Sequence, residues 1–375
     1  MKAQLNRSVA LLGTGSYLPD RVITNDVLED LVSGFDTEKG GDFATWVERV
    51  THIKERRYVD TQTAGDLGAE AARQALDMAG VKASELDLII FGSFTGASSV
   101  PGDHVLVAKA IGADATPSFT LTGACAGSVQ GMAMAYGMLA SGAMKRILVV
   151  GAETISPTLD HNDPLTSILF GDGAGAVVLG AVPESDGGML PPTLGHEFNW
   201  ENITMANINQ PFLAKEAAPA TGENPPSIEK AYLKMISGPR VLRNAVNTMA
   251  GCVRKVLGYE GEDDAAMADL VANMRLIPHQ ANGRIVDGLR KKLDAPEEKV
   301  IKTVYKVGNM SAASNLVALD HAMRVGNYRA DVNEETGAIE AIHTVEDPIR
   351  KGELLVLPTI GAGYLFGAVG FVHVG

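Results

Sequence analysis

The chain has 375 residues, enough for one large core or two packed halves, and its 46% hydrophobic content with 41 glycines fits a compact globular protein with many tight turns. A net charge of −13 argues against non-specific nucleic-acid binding and requires any acidic partner to dock on a local basic patch. No uncharged run reaches membrane-spanning length, and Cys125 and Cys252, far apart and without a CxxC pattern, read as free thiols of a reducing cytoplasm.

In chain order, residues 9–13 read as a first strand. Gly13-Thr14-Gly15 reads as a turn, because the third glycine of a dinucleotide loop is missing. Thr24 opens a capped helix. In residues 43–57, Trp46 stands among charges, where a hydrophobic plug is a plainer role than a stacking surface. Residues 64–79 have the spacing of an amphipathic helix, and 86–91 form a continuous apolar strand of the kind covered on both faces. A Gly/Ser loop at 93–102 and a short helix at 105–111 follow. A β-like run at 117–121 then meets small residues around Cys125 and a long Ala-rich helix pattern. Strands at 146–150 and, behind a glycine turn, 171–180 come next. Residues 183–226 are rich in Pro, Asn and Gly and read as a surface excursion or lid. Beyond them lie a helix at 241–257, a strand at 275–277 ending in Pro278-His279, and a basic helix at 285–293. A turn at 308–314 opens a helix to Arg324. A hairpin at 328–345, a strand at 354–357 and a glycine turn at 361–367 into a last strand complete the chain.

The order repeats. Helix, buried strand, small-residue turn opening a helix, buried strand and glycine turn into a strand occur once before residue 182 and once after 236. This predicts two similar halves, 1–182 and 236–375, joined by the irregular stretch 183–235, with helix layers on mixed or mostly parallel sheets. Equivalent turns then meet at the seam, bringing Cys125 of one half towards His279, Asn309 and Gly363 of the other.

A lone Cys among Ala and Gly is more often a small core residue, a lone His a hydrogen-bonded one, and an Asn after Gly308 a turn former. Taken together they suggest a chemistry. A helix N-terminus stabilises a thiolate near neutral pH, and a thiolate takes an acyl group from a thioester. An imidazole N–H and an amide N–H aimed at one oxygen stabilise the enolate formed when a malonyl thioester loses carbon dioxide. The eight histidines have no HxxxH or HExxH spacing, so no metal site is predicted.

Ala124-Cys125-Ala126-Gly127, Pro278-His279-Gln280-Ala281-Asn282, the Gly308-Asn309 turn through Ser314 and the Gly171-Asp172-Gly173 turn resemble the β-ketoacyl-acyl-carrier-protein synthase III family of the thiolase superfamily. The resemblance runs from about residue 9 to 371 and is weakest over 183–230 and 327–348. It implies a five-layered αβαβα fold with two pseudo-duplicated halves, a cytoplasmic homodimer, and a catalytic triad of Cys125, His279 and Asn309. It implies loading of Cys125 from an acyl-CoA, condensation with malonyl-acyl carrier protein, no cofactor, and an oxyanion hole of the Cys125 and Gly363 N–H groups. It also implies carrier docking on the helix after His279, where Arg284, Arg290, Lys291 and Lys292 supply positive charge.

There are departures. Trp46 matches the family's coenzyme A contact, but Val50 and Pro157 stand where arginines are common. Val100 replaces an aromatic that straight-chain members often place against the partner subunit's acyl pocket, which suggests a starter longer or bulkier than acetyl. Two other readings remain open at this level: transfer of the acyl group to a non-malonyl acceptor, and a non-catalytic partner subunit.

Overall fold

The computed structural model describes residues 7–183, 187–199, 203–204, 233–235, 238–259 and 264–375. Its first sheet has the strand order Arg7–Tyr17, Gly173–Pro183, Arg146–Glu153, Leu88–Gly92, Ser118–Leu121. The first two pairings are antiparallel and the last two parallel. In the second sheet, Met274–Leu276 runs parallel to Leu354–Gly361, which pairs antiparallel with Gly363–Val372. The short strands Gly188–Met189 and Thr193–Asn199 pair antiparallel with the latter. A parallel bridge from Leu276 to Val300 supplies the equivalent of the first sheet's fifth strand. Both sheets therefore step through the same succession of pairings.

Alternation across each strand builds the layers. Ile90 and Val149 face inwards onto Val129 and Met132 of helix Gly127–Ala140, while Ile89 and Phe91 face outwards onto Leu67 and Ala71 of helix Ala64–Ala79. In the second sheet Leu355 and Leu357 join the same inner cluster, and Val356 faces Met249 and Val253 of helix Gly238–Val256 and Ile285 of helix Gly283–Leu293. Helices Gly127–Ala140 and Ser314–Arg324 fill the middle layer, giving the αβαβα sandwich. Asp320 ties the halves together by accepting from Thr14 Oγ1 at 2.7 Å and Ser16 Oγ at 2.6 Å.

Three expectations change. Gly13 and Gly15 lie inside the continuous strand Arg7–Tyr17, not in a turn. Their α-carbons press on the backbone of Ala75 and Ala71, so a side chain there would collide with helix Ala64–Ala79. Residues 188–189 and 193–199, read as part of the irregular stretch, form strands of the second sheet. Most of the rest of that stretch, and with it the lid, lies outside the described residues. The strand expected at 146–150 runs on to Glu153. The hairpin is present as Gly326–Val332 and Ile339–Glu346, and its turn leans on the helix that carries Trp46. There Glu48 Oε2 accepts from Ile339 N at 2.6 Å, Lys54 donates to the Ile339 carbonyl, and Gly337 sits over the Arg49 side chain.

Candidate active site

Strand Ser118–Leu121 ends at a 3₁₀ turn, Ala124–Ala126, that feeds helix Gly127–Ala140. No side chain caps this helix. The other half repeats the device, with the 3₁₀ turn Ser311–Ala313 feeding helix Ser314–Arg324. The first residue of each turn is left-handed, Ala124 at φ 45° and Ser311 at φ 46°. Non-glycine residues seldom adopt this conformation, and it costs energy that the packing must overcome. The two turns meet at the seam. Gly127 has just room for a methyl against Ala312 Cβ, at 3.5 Å, and Gly151 lies directly beneath the Ala312 carbonyl.

Strand Leu354–Gly361 positions the rest. Its Pro358 carbonyl accepts the His279 N–H at 2.9 Å, and the next residue, Thr359, donates Oγ1 to the Cys125 carbonyl at 3.1 Å. At Gly361 a Cβ would come within 3.0 Å of Ala126 N and 3.1 Å of Cys125 N, so a side chain there would press the Cys125 turn by a few tenths of an ångström. Gln280, fully buried, donates to the Pro278 and Ile301 carbonyls and accepts from Thr303 N and Val304 N, which stitches the His279 turn into the core. Asn282 caps helix Gly283–Leu293 through Ile285 N at 2.9 Å. Asn309 is buried and held from three sides: its N–H donates to Leu169 O, its carbonyl accepts from Gly171 N, and its Oδ1 accepts from Ser311 N at 2.8 Å. That leaves Nδ2 as the donor end of the side chain. Asp172 of the glycine turn is a buried structural acceptor, at 2.8 Å from both Val59 N and Ser156 N.

The electrostatics correct one expectation. Burial pushes the Cys125 thiol up to about 11; the Ser311 hydroxyl opposes this and the Glu153 charge adds to it. A helix N-terminus contributes up to about 2 kcal/mol, roughly 1.5 pKa units, which opposes this rise. Burial also lowers His279 to about 4, which keeps its imidazole neutral near pH 7. Its Nδ1 is buried and has no hydrogen-bond partner.

The remaining predicted residues lie in varied surroundings. Trp46 is partly buried, 4.6 Å from the Phe35 ring and 5.9 Å from Phe43, as a plug would be. Val100 is 88% exposed. Gly363 has a φ of 75°, and the residue that abuts Cys125 N is Gly361. Arg284, Lys291 and Lys292 are exposed, whereas Arg290 is half-buried and reaches the Ala295 carbonyl at 3.5 Å. Among the described residues no group of three metal-ligating side chains comes together, and no helix is long and apolar enough to cross a membrane. Sequence reasoning missed Ser311, Thr359, Gly361 and Glu153. The only available signals were that Ser311 lies inside a motif and that Glu153 ends an apolar run.

Residues 119–197 match the family described as 3-oxoacyl-[acyl-carrier-protein] synthase III, and residues 271–333 match its C-terminal part. The chain is 37% identical to a β-ketoacyl-[acyl-carrier-protein] synthase III of Alkalilimnicola ehrlichii over 96% of this chain and 97% of that one. It is 35% identical to one from Laribacter hongkongensis over 96% and 97%. Its fold superposes on the crystal structure of 3-oxoacyl-[acyl-carrier-protein] synthase III from Aquifex aeolicus with a TM-score of 0.77, at 31% identity over 97% of this chain and 100% of that one. A priming β-ketosynthase of the R1128 polyketide pathway superposes at 0.78, with 28% identity over 100% and 98%. With the seam geometry, this identity over nearly the whole length means that the chain belongs to the β-ketoacyl-[acyl-carrier-protein] synthase III family.

Proposed function

We propose that the chain joins an acyl starter to malonyl-acyl carrier protein with loss of carbon dioxide, through an acyl-Cys125 intermediate. Family membership makes it an acyltransferase of the condensing class. The sulfur attacks the donor thioester, its oxyanion facing the Cys125 N–H and the 361–363 turn, Gly363 included, and a thiol departs. Malonyl thioester then enters. His279 and Asn309 donate to its thioester oxygen, carbon dioxide leaves, and the freed electron pair forms the new carbon–carbon bond at the acyl carbon, releasing Cys125. What supports this reading is the single strand, Leu354–Gly361, that ties His279 and Cys125 at adjacent residues, while the Ser311–Ala313 turn, whose first N–H donates to Asn309 Oδ1, packs against the Cys125 turn at Gly127.

The carrier docks on Arg284, Lys291 and Lys292, with Arg290 contributing from its half-buried place. The donor is an acyl-CoA passing Trp46, or a carrier thioester given Val50 and Pro157. A second copy covers Val100 in a cytoplasmic homodimer, and the smaller side chain there admits a starter longer than acetyl. The test is intact mass after mixing with acyl-CoAs from acetyl to decanoyl, with Cys125→Ser as control. One added acyl group, absent from the control and fastest for donors beyond acetyl, is expected. Fastest loading from acetyl-CoA would refute the starter preference. No adduct from coenzyme A or carrier thioesters would refute the nucleophile.

A further inference from the structure

Glu153 is a fully buried carboxylate that the condensation above does not use. It ends strand Arg146–Glu153 and faces the seam. All its partners crowd onto one oxygen. Oε2 accepts from Ser93 Oγ at 3.1 Å, Phe94 N at 3.2 Å, Thr95 N at 3.1 Å and Thr95 Oγ1 at 2.5 Å. The other oxygen, Oε1, is buried with no hydrogen-bond partner. The Ser311 hydroxyl is likewise buried without a hydrogen bond of ordinary geometry, yet it lies near enough to lower the pKa of both Cys125 and Glu153. Ser311 is itself fixed, by its φ of 46° and its N–H bond to Asn309. A buried acceptor left open costs about 1–3 kcal/mol, so an acceptor kept open beside a nucleophile calls for an explanation.

Loading Cys125 requires the thiol to lose a proton, and the structure offers two takers. Burial drives His279 down to about 4, which makes it a weak base. Burial drives Glu153 up to about 7, and its hydrogen bonds only partly offset this, so it is matched to neutral pH. Among the described residues, no further titratable group enters the electrostatics of Cys125 or Glu153. The 93–95 turn offers hydroxyls and amides, Gly173 lies opposite Glu153, and Asp172 is turned to Val59 and Ser156.

We propose that Glu153 is a positioning residue for acyl loading, taking the proton of Cys125 through the Ser311 hydroxyl. The thiol proton passes to Ser311 Oγ as the Ser311 proton passes to Glu153 Oε1. The sulfur bonds to the acyl carbon, the donor's carbon–sulfur bond breaks, and the departing thiolate takes the proton back, so one thiol is consumed and one released. The inference rests on Cys125 as the nucleophile proposed above. Its test compares wild type, Glu153→Gln and Ser311→Ala, with Cys125→Ser as control. Acyl loading is followed by single-turnover intact mass from pH 5.5 to 9, and Cys125 alkylation by iodoacetamide at pH 9. Wild-type loading should rise through about pH 7. Glu153→Gln should lose that limb and load on the order of 10²-fold more slowly at pH 7, with Ser311→Ala slowed in the same sense. Alkylation of Glu153→Gln should speed up, because the charge that raises the thiol is gone. Unchanged loading with an unchanged pH profile overturns the proposal. So does a joint loss of loading and alkylation, which would make Glu153 purely structural. A wild type that acquires no acyl group at Cys125 overturns the nucleophile, and this proposal with it.

Discussion

At His279, burial without a charged partner holds the ring near 4 against an ordinary 6.5, and this has two measurable consequences. The first concerns stability. A group whose folded pKa is depressed stabilises the fold fully above its unfolded value, and that contribution is lost as pH falls through the folded one. His279 therefore costs about 3 kcal/mol of stability between pH 6.5 and 4, and urea unfolding of His279→Ala should lack that part of the acid sensitivity. The second concerns roles. His279→Ala and Asn309→Ala should still take an acyl group but decarboxylate malonyl thioester on the order of 10²–10³-fold more slowly, as measured by carbon dioxide release. Loading lost as completely as in Cys125→Ser would contradict the division of labour. Cys125, His279 and Asn309 were legible as candidates because small neighbours, a Pro-His turn and a Gly-Asn turn surround them. The protonation of Cys125 was not, because burial comes from elements remote in sequence.

Among elements, helix Gly283–Leu293 shows how one segment is anchored on one side and free on the other. Gly283 packs against the His52 ring, leaving no room for a side chain. Asp287 lies 2.7 Å from Lys302 and 3.2 Å from His52. Burial works against its ionisation, but the His52 hydrogen bond and the Lys302 charge outweigh it and pull Asp287 down to about 2. The helix is thereby fixed to the segment after the Trp46 helix, with Arg284, Lys291 and Lys292 facing out. Lys291→Glu/Lys292→Glu should raise the KM for malonyl-acyl carrier protein on the order of tenfold at low salt, with a far smaller effect on malonyl-CoA. Equal effects on both substrates would rule out a docking role. The helix at 285–293 and the hairpin at 328–345 were both readable in the sequence, whereas the Asn282 cap is a finding of the structure. That the hairpin braces the Trp46 helix through Glu48 and Lys54 was not readable, since those bonds join residues nearly 300 positions apart.

At the scale of the molecule, Val100 is an apolar side chain 88% exposed on a loop whose base Glu153 fixes. If a second copy covers it, Val100→Asp should weaken the dimer, seen by light scattering as a shift towards monomer at micromolar concentration. A wild type that is itself monomeric there would end the dimer proposal. The duplicated order of elements was legible along the chain, because hydrophobic period and glycine punctuation are local properties. Composition also singled out Cys125, His279 and Asn309 as candidates, because each sits in a turn of small or turn-forming residues. Folding was needed to reveal that Gly13 and Gly15 serve close helix packing, that residues 188–189 and 193–199 complete the second sheet, and that Ser311 and Glu153 act on Cys125 from other segments. Each depends on a contact between segments far apart in the chain, where burial and close approach set conformation and charge, and no local pattern carries that information.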